Sequence, residues 1–299
     1  MNVWFSALRL RTLPLALSSI AMGGFLAAFY GTFKVDILLL SALTTVFLQI
    51  LSNLANDYGD SVHGADHEDR EGPQRAVQSG AISKKAMKSA VLLFVVLSLL
   101  SGSWLLYISF GVDNRLFILF FLLGVVAIAA AITYTAGARP YGYAGLGDLS
   151  VLIFFGIVGV LGSYYLYSQN IFHAGLMLPA LSIGLFSVAV LNVNNIRDIE
   201  SDKAAGKRSI PVRIGREAAT VYHWILLGAG WLCALIFTIS NYHSVFQFIY
   251  LVTLPLFIRN AVGIYKQESA GGLDPYLKQM AISTFLFVLL FGIGLVVSA

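Results

Sequence analysis

Nine long apolar runs decide what this chain can fold into. They lie near residues 13–30, 36–55, 89–110, 116–136, 149–168, 174–195, 219–240, 244–265 and 277–298. Each holds about 18 to 24 residues, and at ~1.5 Å per residue a helix of that length crosses a ~30 Å hydrocarbon layer. Charged residues make up 11% of the chain, where a globular chain carries roughly a quarter. The expected fold is therefore all-α: a polytopic membrane protein whose nine transmembrane helices form one bundle over residues 1–299. Pro255, inside the eighth run, predicts a kink there.

The loops set the orientation. With the N-terminus on the cytoplasmic side, 17 of the 19 Lys and Arg residues fall inside, and only Lys34 and Arg115 fall outside. That asymmetry is the positive-inside signature. It fixes the topology and reads the net charge of +4 as an orientation signal, with no nucleic acid as partner. The first run is long for a signal-peptide core and eight more follow it, so it is expected to stay as the first helix. Cys233, the single cysteine, excludes an internal disulfide and a thiolate cluster.

Against this apolar background the stretch NLANDYGDSVHGADHEDREGPQRAVQSG gathers six carboxylates between Asp57 and Glu71. Each charge would cost about 2.5–3.5 kcal/mol at the bilayer centre, so the end of the second helix must reach the cytoplasmic interface. Asn56 and Asp60 are spaced i, i+4, which puts both on one helical face. A second cluster, LNVNNIRDIESDKAAGKRSIPVRIG, repeats the step with Asn194, Asp198 and Asp202. Asn194 follows Asn56, and Asp198 follows Asp60, by the same 138 residues. The second and sixth helices thus run in the same direction and end on the same side. This reads as a tandem duplication of a four-helix unit, roughly 1–136 and 137–265, with a ninth helix at 277–298.

Converging carboxylates repel unless a cation neutralises them. An all-oxygen set suits Mg²⁺ over zinc or copper, and Mg²⁺ typically takes one or two carboxylates together with phosphate oxygens. Arg70 and Arg75 follow the first motif; Lys203, Lys207 and Arg208 follow the second. Bases beside acid-held Mg²⁺ make a clamp for a diphosphate. His63 and His67 lack the Glu and the third nitrogen that a zinc site would need. No P-loop motif is present.

At these residues the sequence resembles the UbiA superfamily of intramembrane prenyltransferases. The family carries N-x-x-x-D-x-x-x-D after its second helix and D-x-x-x-D after its sixth. Here the second motif is complete as Asp198 and Asp202. The first reads Asn56, Asp60, Gly64, so Asp66 stands two residues later as the substitute carboxylate. NLANDYGDSVHGAD, YTAGARPYGYAGLGDLSV and NNIRDIESDKAAGKRSIPVRIG are similar to the branch that prenylates 1,4-dihydroxy-2-naphthoate in menaquinone synthesis. The resemblance implies a bundle around a central cavity, open to the cytoplasmic side and laterally to membrane lipid. It implies Mg²⁺ held by Asn56, Asp60, Asp66, Asn194, Asp198 and Asp202. It further implies a polyprenyl diphosphate gripped by Arg70, Arg75, Lys203 and Arg208, and an allylic cation captured by the naphthoate ring with loss of CO₂ and pyrophosphate. Tyr134, Arg139, Tyr141 and Tyr143, after the fourth helix, would make the acceptor site, with Arg139 pairing the acceptor carboxylate. Asp148 reads as a helix N-cap.

Two alternatives stay open at this point. Diphosphate-binding motifs do not name the aromatic acceptor, so 4-hydroxybenzoate and homogentisate are also candidates. A secondary transporter would share the repeat but would place its ionisable groups near the midplane, whereas here they cluster at helix ends.

Overall fold

The computed structural model describes residues 3–63, 75–112, 114–169 and 173–299. Among them, nine helices are long and apolar enough to cross a bilayer. In chain order they are α1 (Val3–Phe29), α2 (Val35–Val62), α3 (Lys84–Phe110), α4 (Arg115–Thr133), α5 (Gly147–Ser168), α6 (Ala174–Arg197), α7 (Ile210–Ser240), α8 (Val245–Lys266) and α9 (Gly271–Ser298). The chain is an integral membrane protein, all-α as its apolar runs predict.

The helices outrun the hydrocarbon. α2 continues seven residues past the apolar run to Val62, and α7 begins at Ile210, ahead of its apolar start. Both extensions are polar, so hydropathy could not locate them; backbone bonding continues regardless. In α7 the extension bends at Gly215, whose φ of 81° suits a residue without Cβ. At Pro255, where a kink is predicted, the eighth span changes its winding. Val245–Thr253 winds as a 3₁₀ helix and passes into an α-helix at Leu254–Lys266, with Pro255 in its first turn. There its missing N–H costs nothing.

Packing divides the bundle in two. α6 is the most buried span and α4 the least. α6 packs on α5, α7 and α9. A Cβ on Gly156 of α5 would stand 2.7 Å from the Ala180 carbonyl oxygen of α6, so only small residues permit that crossing. Between α6, α7, α8 and α9 the interior is solid with rings. Phe186 lies 4.7 Å from Phe257 and 5.1 Å from Phe287 between centroids, and Trp231 lies 5.7 Å from Tyr250. Such tilted, edge and stacked pairs add about 0.5–1.5 kcal/mol each beyond area burial. The other half is hollow: a cavity of about 480 Å³ is walled by α1 to α6, with Leu277 from α9. No residue of α7 or α8 reaches its wall.

Candidate active site

The first acidic motif stands on the polar extension of α2. Because the helix does not break, Asn56 and Asp60 keep their shared face, and both line the cavity. Asp60 is buried, with the Arg75 guanidinium 2.5 Å from Oδ2 and the Tyr143 hydroxyl donating to Oδ1 at 2.9 Å. Arg75 also donates to the Asn56 carbonyl at 2.9 Å. Thr135, just past α4, donates its hydroxyl to Ala55 O and to Asn56 Oδ1, each at 3.2 Å. This close approach is possible because Gly59 faces Thr135; a Cβ there would lie 2.6 Å from the Thr135 carbonyl group.

The second motif begins where α6 ends. Asp198 caps α6 and leads into a short helix, Ile199–Ala204, that carries Asp202. The Arg197 fork grips Asp198 at 2.7 and 2.8 Å. Gly206, with φ 74°, turns the chain so that Lys207 N–H bonds the Asp202 carbonyl at 2.8 Å and its ammonium meets Asp202 Oδ1 at 3.1 Å. Lys207 therefore enters the cavity wall, while Lys203 and Arg208 on either side are exposed. Burial works against the Lys207 ammonium, but Asp202, Tyr134 and Asp60 outweigh it and hold its pKa above the usual lysine value. Burial pushes the Asp202 carboxyl upward, and Asp198 and Asp60 push the same way against Lys207. This is a carboxylate short of positive charge.

The α4–α5 loop joins the two motifs. Tyr143 donates its hydroxyl to Asp60 and accepts the Arg208 N–H at its carbonyl, 2.9 Å each. The polar end of the cavity is thus formed by Asn56, Asp60, Arg75, Asn194, Asn195 and Lys207, with Tyr134 beside them. From there the walls turn apolar. Along α4 they run from Ala131 to Phe120, roughly 16 Å of helix, faced by Phe154, Phe155 and Val158 of α5. Burial raises the Tyr134 phenol to about 12, so it stays neutral at physiological pH.

The donor chemistry fits Mg²⁺. Asp202 Oδ2 and Asn195 Oδ1 are buried oxygens without a hydrogen-bond partner, and such groups are costly to leave unsatisfied. Among the described residues no three His, Cys, Asp or Glu side chains form a closed cage.

Of the residues singled out in the sequence, Asn56, Asp60, Arg75, Tyr134, Tyr141, Asn194 and Lys207 line the cavity. Asp198 and Asp202 sit behind that wall, bonded to Asn194 and Lys207 of it. Arg139, Lys203 and Arg208 are exposed and stand outside the wall. Asp66 and Arg70 lie outside the described residues. Asp148 is not an N-cap: Leu146 holds that position, and Asp148 Oδ2 accepts the Tyr222 hydroxyl at 2.9 Å. Sequence reasoning missed Arg197, which positive-inside charge disguised, and Arg9, a cavity residue with φ 48°. It also missed Asp274, which pairs with Arg197 from the far end of the chain.

Comparison with known proteins agrees with this geometry. Two curated relatives carry the name 1,4-dihydroxy-2-naphthoate octaprenyltransferase. The one from Haemophilus influenzae is 44% identical, over 99% of this chain and 96% of that protein; the one from Escherichia coli is 43% identical, over 99% and 96%. Among solved structures, the fold is similar to the apo UbiA homolog from Aeropyrum pernix (TM-score 0.69, 19% identity, 95% of this chain and 97% of that one). It is also similar to the Archaeoglobus fulgidus UbiA homolog solved with DMAPP and Mg²⁺ (TM-score 0.61, 18% identity, 97% and 99%). The UbiA prenyltransferase family pattern matches residues 16–285, and the chain belongs to that family.

Proposed function

We propose that this protein transfers a polyprenyl group from polyprenyl diphosphate to 1,4-dihydroxy-2-naphthoate, releasing pyrophosphate and CO₂, in menaquinone biosynthesis. The observation that carries the proposal is one cavity with two ends of opposite character. Acidic and basic groups from both motifs converge at its mouth, and an apolar channel continues inward. A diphosphate with an isoprenoid tail has that polarity. The naphthoate acceptor follows from the names of the relatives and from the full-length match to them.

Mg²⁺ shared between the diphosphate and the carboxylates of Asp60 and Asp202, beside the carboxamides of Asn56 and Asn194, would neutralise the diphosphate and stabilise its departure. Arg75 and Lys207 neutralise Asp60 and Asp202 in the meantime and are placed to follow the leaving group's charge. The donor's C–O bond breaks with its electron pair going to the pyrophosphate. The ring carbon bearing the carboxylate attacks the allylic cation, and the C–CO₂ bond pair returns to the ring as CO₂ leaves. Charge balances without removal of a ring proton, so no base is required at that carbon. Neutral Tyr134 offers its ring face to the cation, and Arg139, on the loop at the mouth, pairs the acceptor carboxylate before it is lost. The product is demethylmenaquinol, oxidised afterwards to demethylmenaquinone.

The mouth faces the cytoplasm of a bacterial inner membrane in this reading, supported by the concentration of Lys and Arg at that end. The matching ends of α2 and α6 descend from a duplicated four-helix unit. The test is an acceptor panel. Purified protein with one prenyl diphosphate donor and Mg²⁺ is expected to prenylate dihydroxynaphthoate over 4-hydroxybenzoate and homogentisate, and to stop in EDTA. Equal activity in EDTA, or preference for another acceptor, would overturn it.

A further inference from the structure

The two acidic motifs ride on helices with different packing partners: α2 packs on α1, α3 and α4, and α6 on α5, α7 and α9. The α4–α5 loop bridges them at Tyr143, whose hydroxyl donates to Asp60 Oδ1 and whose carbonyl accepts the Arg208 N–H. Arg213 closes this bridge from outside. It lies near the start of α7, ahead of the bend at Gly215. Its Nε donates to the Arg208 carbonyl at 2.9 Å, and its Nη2 to the Ala144 carbonyl at 2.6 Å. One planar fork thus holds a main-chain carbonyl from each segment. Gly145, with φ 82°, makes room for it: a Cβ there would stand 2.6 Å from Arg213 Nη2 and closer still to the Arg208 carbonyl oxygen.

Arg213 is exposed and stands outside the cavity wall, so it does not meet the substrates of the reading above. An arginine on this side of the membrane can serve as a topology charge and nothing more, but such a charge needs no particular partner. Here the guanidinium is fixed on backbone next to both ends of the Tyr143–Arg208 hydrogen bond. The Tyr143 ring follows its backbone, so the clasp decides how far the hydroxyl reaches toward Asp60. Burial and the Asp60 carboxylate hold the Tyr143 phenol above its usual pKa, which keeps it a donor. We propose that Arg213 is a positioning residue: it clasps the α4–α5 loop to the segment after the second motif and, through Tyr143, holds Asp60 in register with that motif. This rests on the reading of both motifs as one diphosphate site.

The test pairs a readout without turnover with one that needs it. In detergent-purified Arg213→Ala, hydrogen exchange at residues 143–146 and at Arg208 is expected to accelerate, with exchange in α6 to α9 unchanged. The kcat for prenyl transfer is expected to fall by up to about 100-fold, as for a misplacement near 1 Å. Tyr143→Phe, which removes only the hydroxyl, should lower kcat as well, and the double variant should be no slower than Tyr143→Phe alone. Arg213→Lys keeps the charge but not the fork; it should also lose rate, and it carries the test if Arg213→Ala does not fold. Wild-type exchange in Arg213→Ala overturns the clasp whatever the reaction. Wild-type kcat in Arg213→Ala or in Tyr143→Phe, additive losses in the double variant, or full recovery with lysine overturns the positioning role. A wild-type protein without prenyl transfer, but with the exchange contrast intact, removes the functional reading and the positioning role with it, and leaves the clasp as a contact only.

Discussion

A single methyl group beside Asp60 is enough to test how tightly the active site is held. A Cβ at Gly59 would lie 2.6 Å from the Thr135 carbonyl group, where ordinary contact begins at 3.4 Å, so Gly59→Ala requires about 0.8 Å of separation. Thr135 is bonded to Ala55 and Asn56 in the preceding turn, so the strain falls on the helix turn that carries both first-motif residues. Overpacking of this kind costs about 1–3 kcal/mol, and a misplacement near 1 Å can cost about 10²-fold in rate. The expected result is a lower melting midpoint, a kcat reduced by up to about two orders of magnitude, and normal expression. Gly124→Ala is the control. It is a cavity-lining helical glycine with nothing within 4 Å of its would-be Cβ, and alanine there relieves a helix penalty of up to ~1 kcal/mol. Melting in detergent and initial rates at saturating donor read both variants. Wild-type rate and midpoint in Gly59→Ala, or equal damage in Gly124→Ala, would refute the reasoning.

Lys207→Met removes one partner of a pair in which both side chains are about nine-tenths buried. Such breaks cost about 3–5 kcal/mol, so the melting midpoint should fall and the donor KM should rise; adding Asp202→Asn should recover stability without turnover. Arg139→Ala is expected to raise the acceptor KM with the donor KM unchanged, and a donor-only effect would remove it from the acceptor site. Phe287→Ala, in the aromatic core, should cost about 3–5 kcal/mol of stability while the folded fraction retains its kcat and Mn²⁺ affinity.

The spans were legible because lipid demands them: each must be long, apolar and continuous, and few sequences meet that by chance. Their ends were not, since Asp57 to Val62 and Ile210 to Glu217 are helical but polar, and hydropathy does not register a helix in water. Asn56 and Asp60 were legible through their spacing, which a helix converts into a shared face. The partner bases were harder. Three cations follow Asp202 within six residues, and only the left-handed turn at Gly206 selects Lys207. The pairing of Arg197 with Asp274 has no local signal, because residues 77 apart in sequence meet only through tertiary packing.

α6 belongs to both halves of the bundle. Phe186 enters the ring-filled interior, while the next residue, Ser187, with Val190 and Leu191, faces the hollow one. Cellular abundance should therefore be governed mainly by α7 to α9, and turnover per molecule by α1 to α5. Along α6 the two kinds of phenotype should alternate with the turns of the helix, so a saturation scan of this one segment would draw the boundary between scaffold and reaction chamber residue by residue.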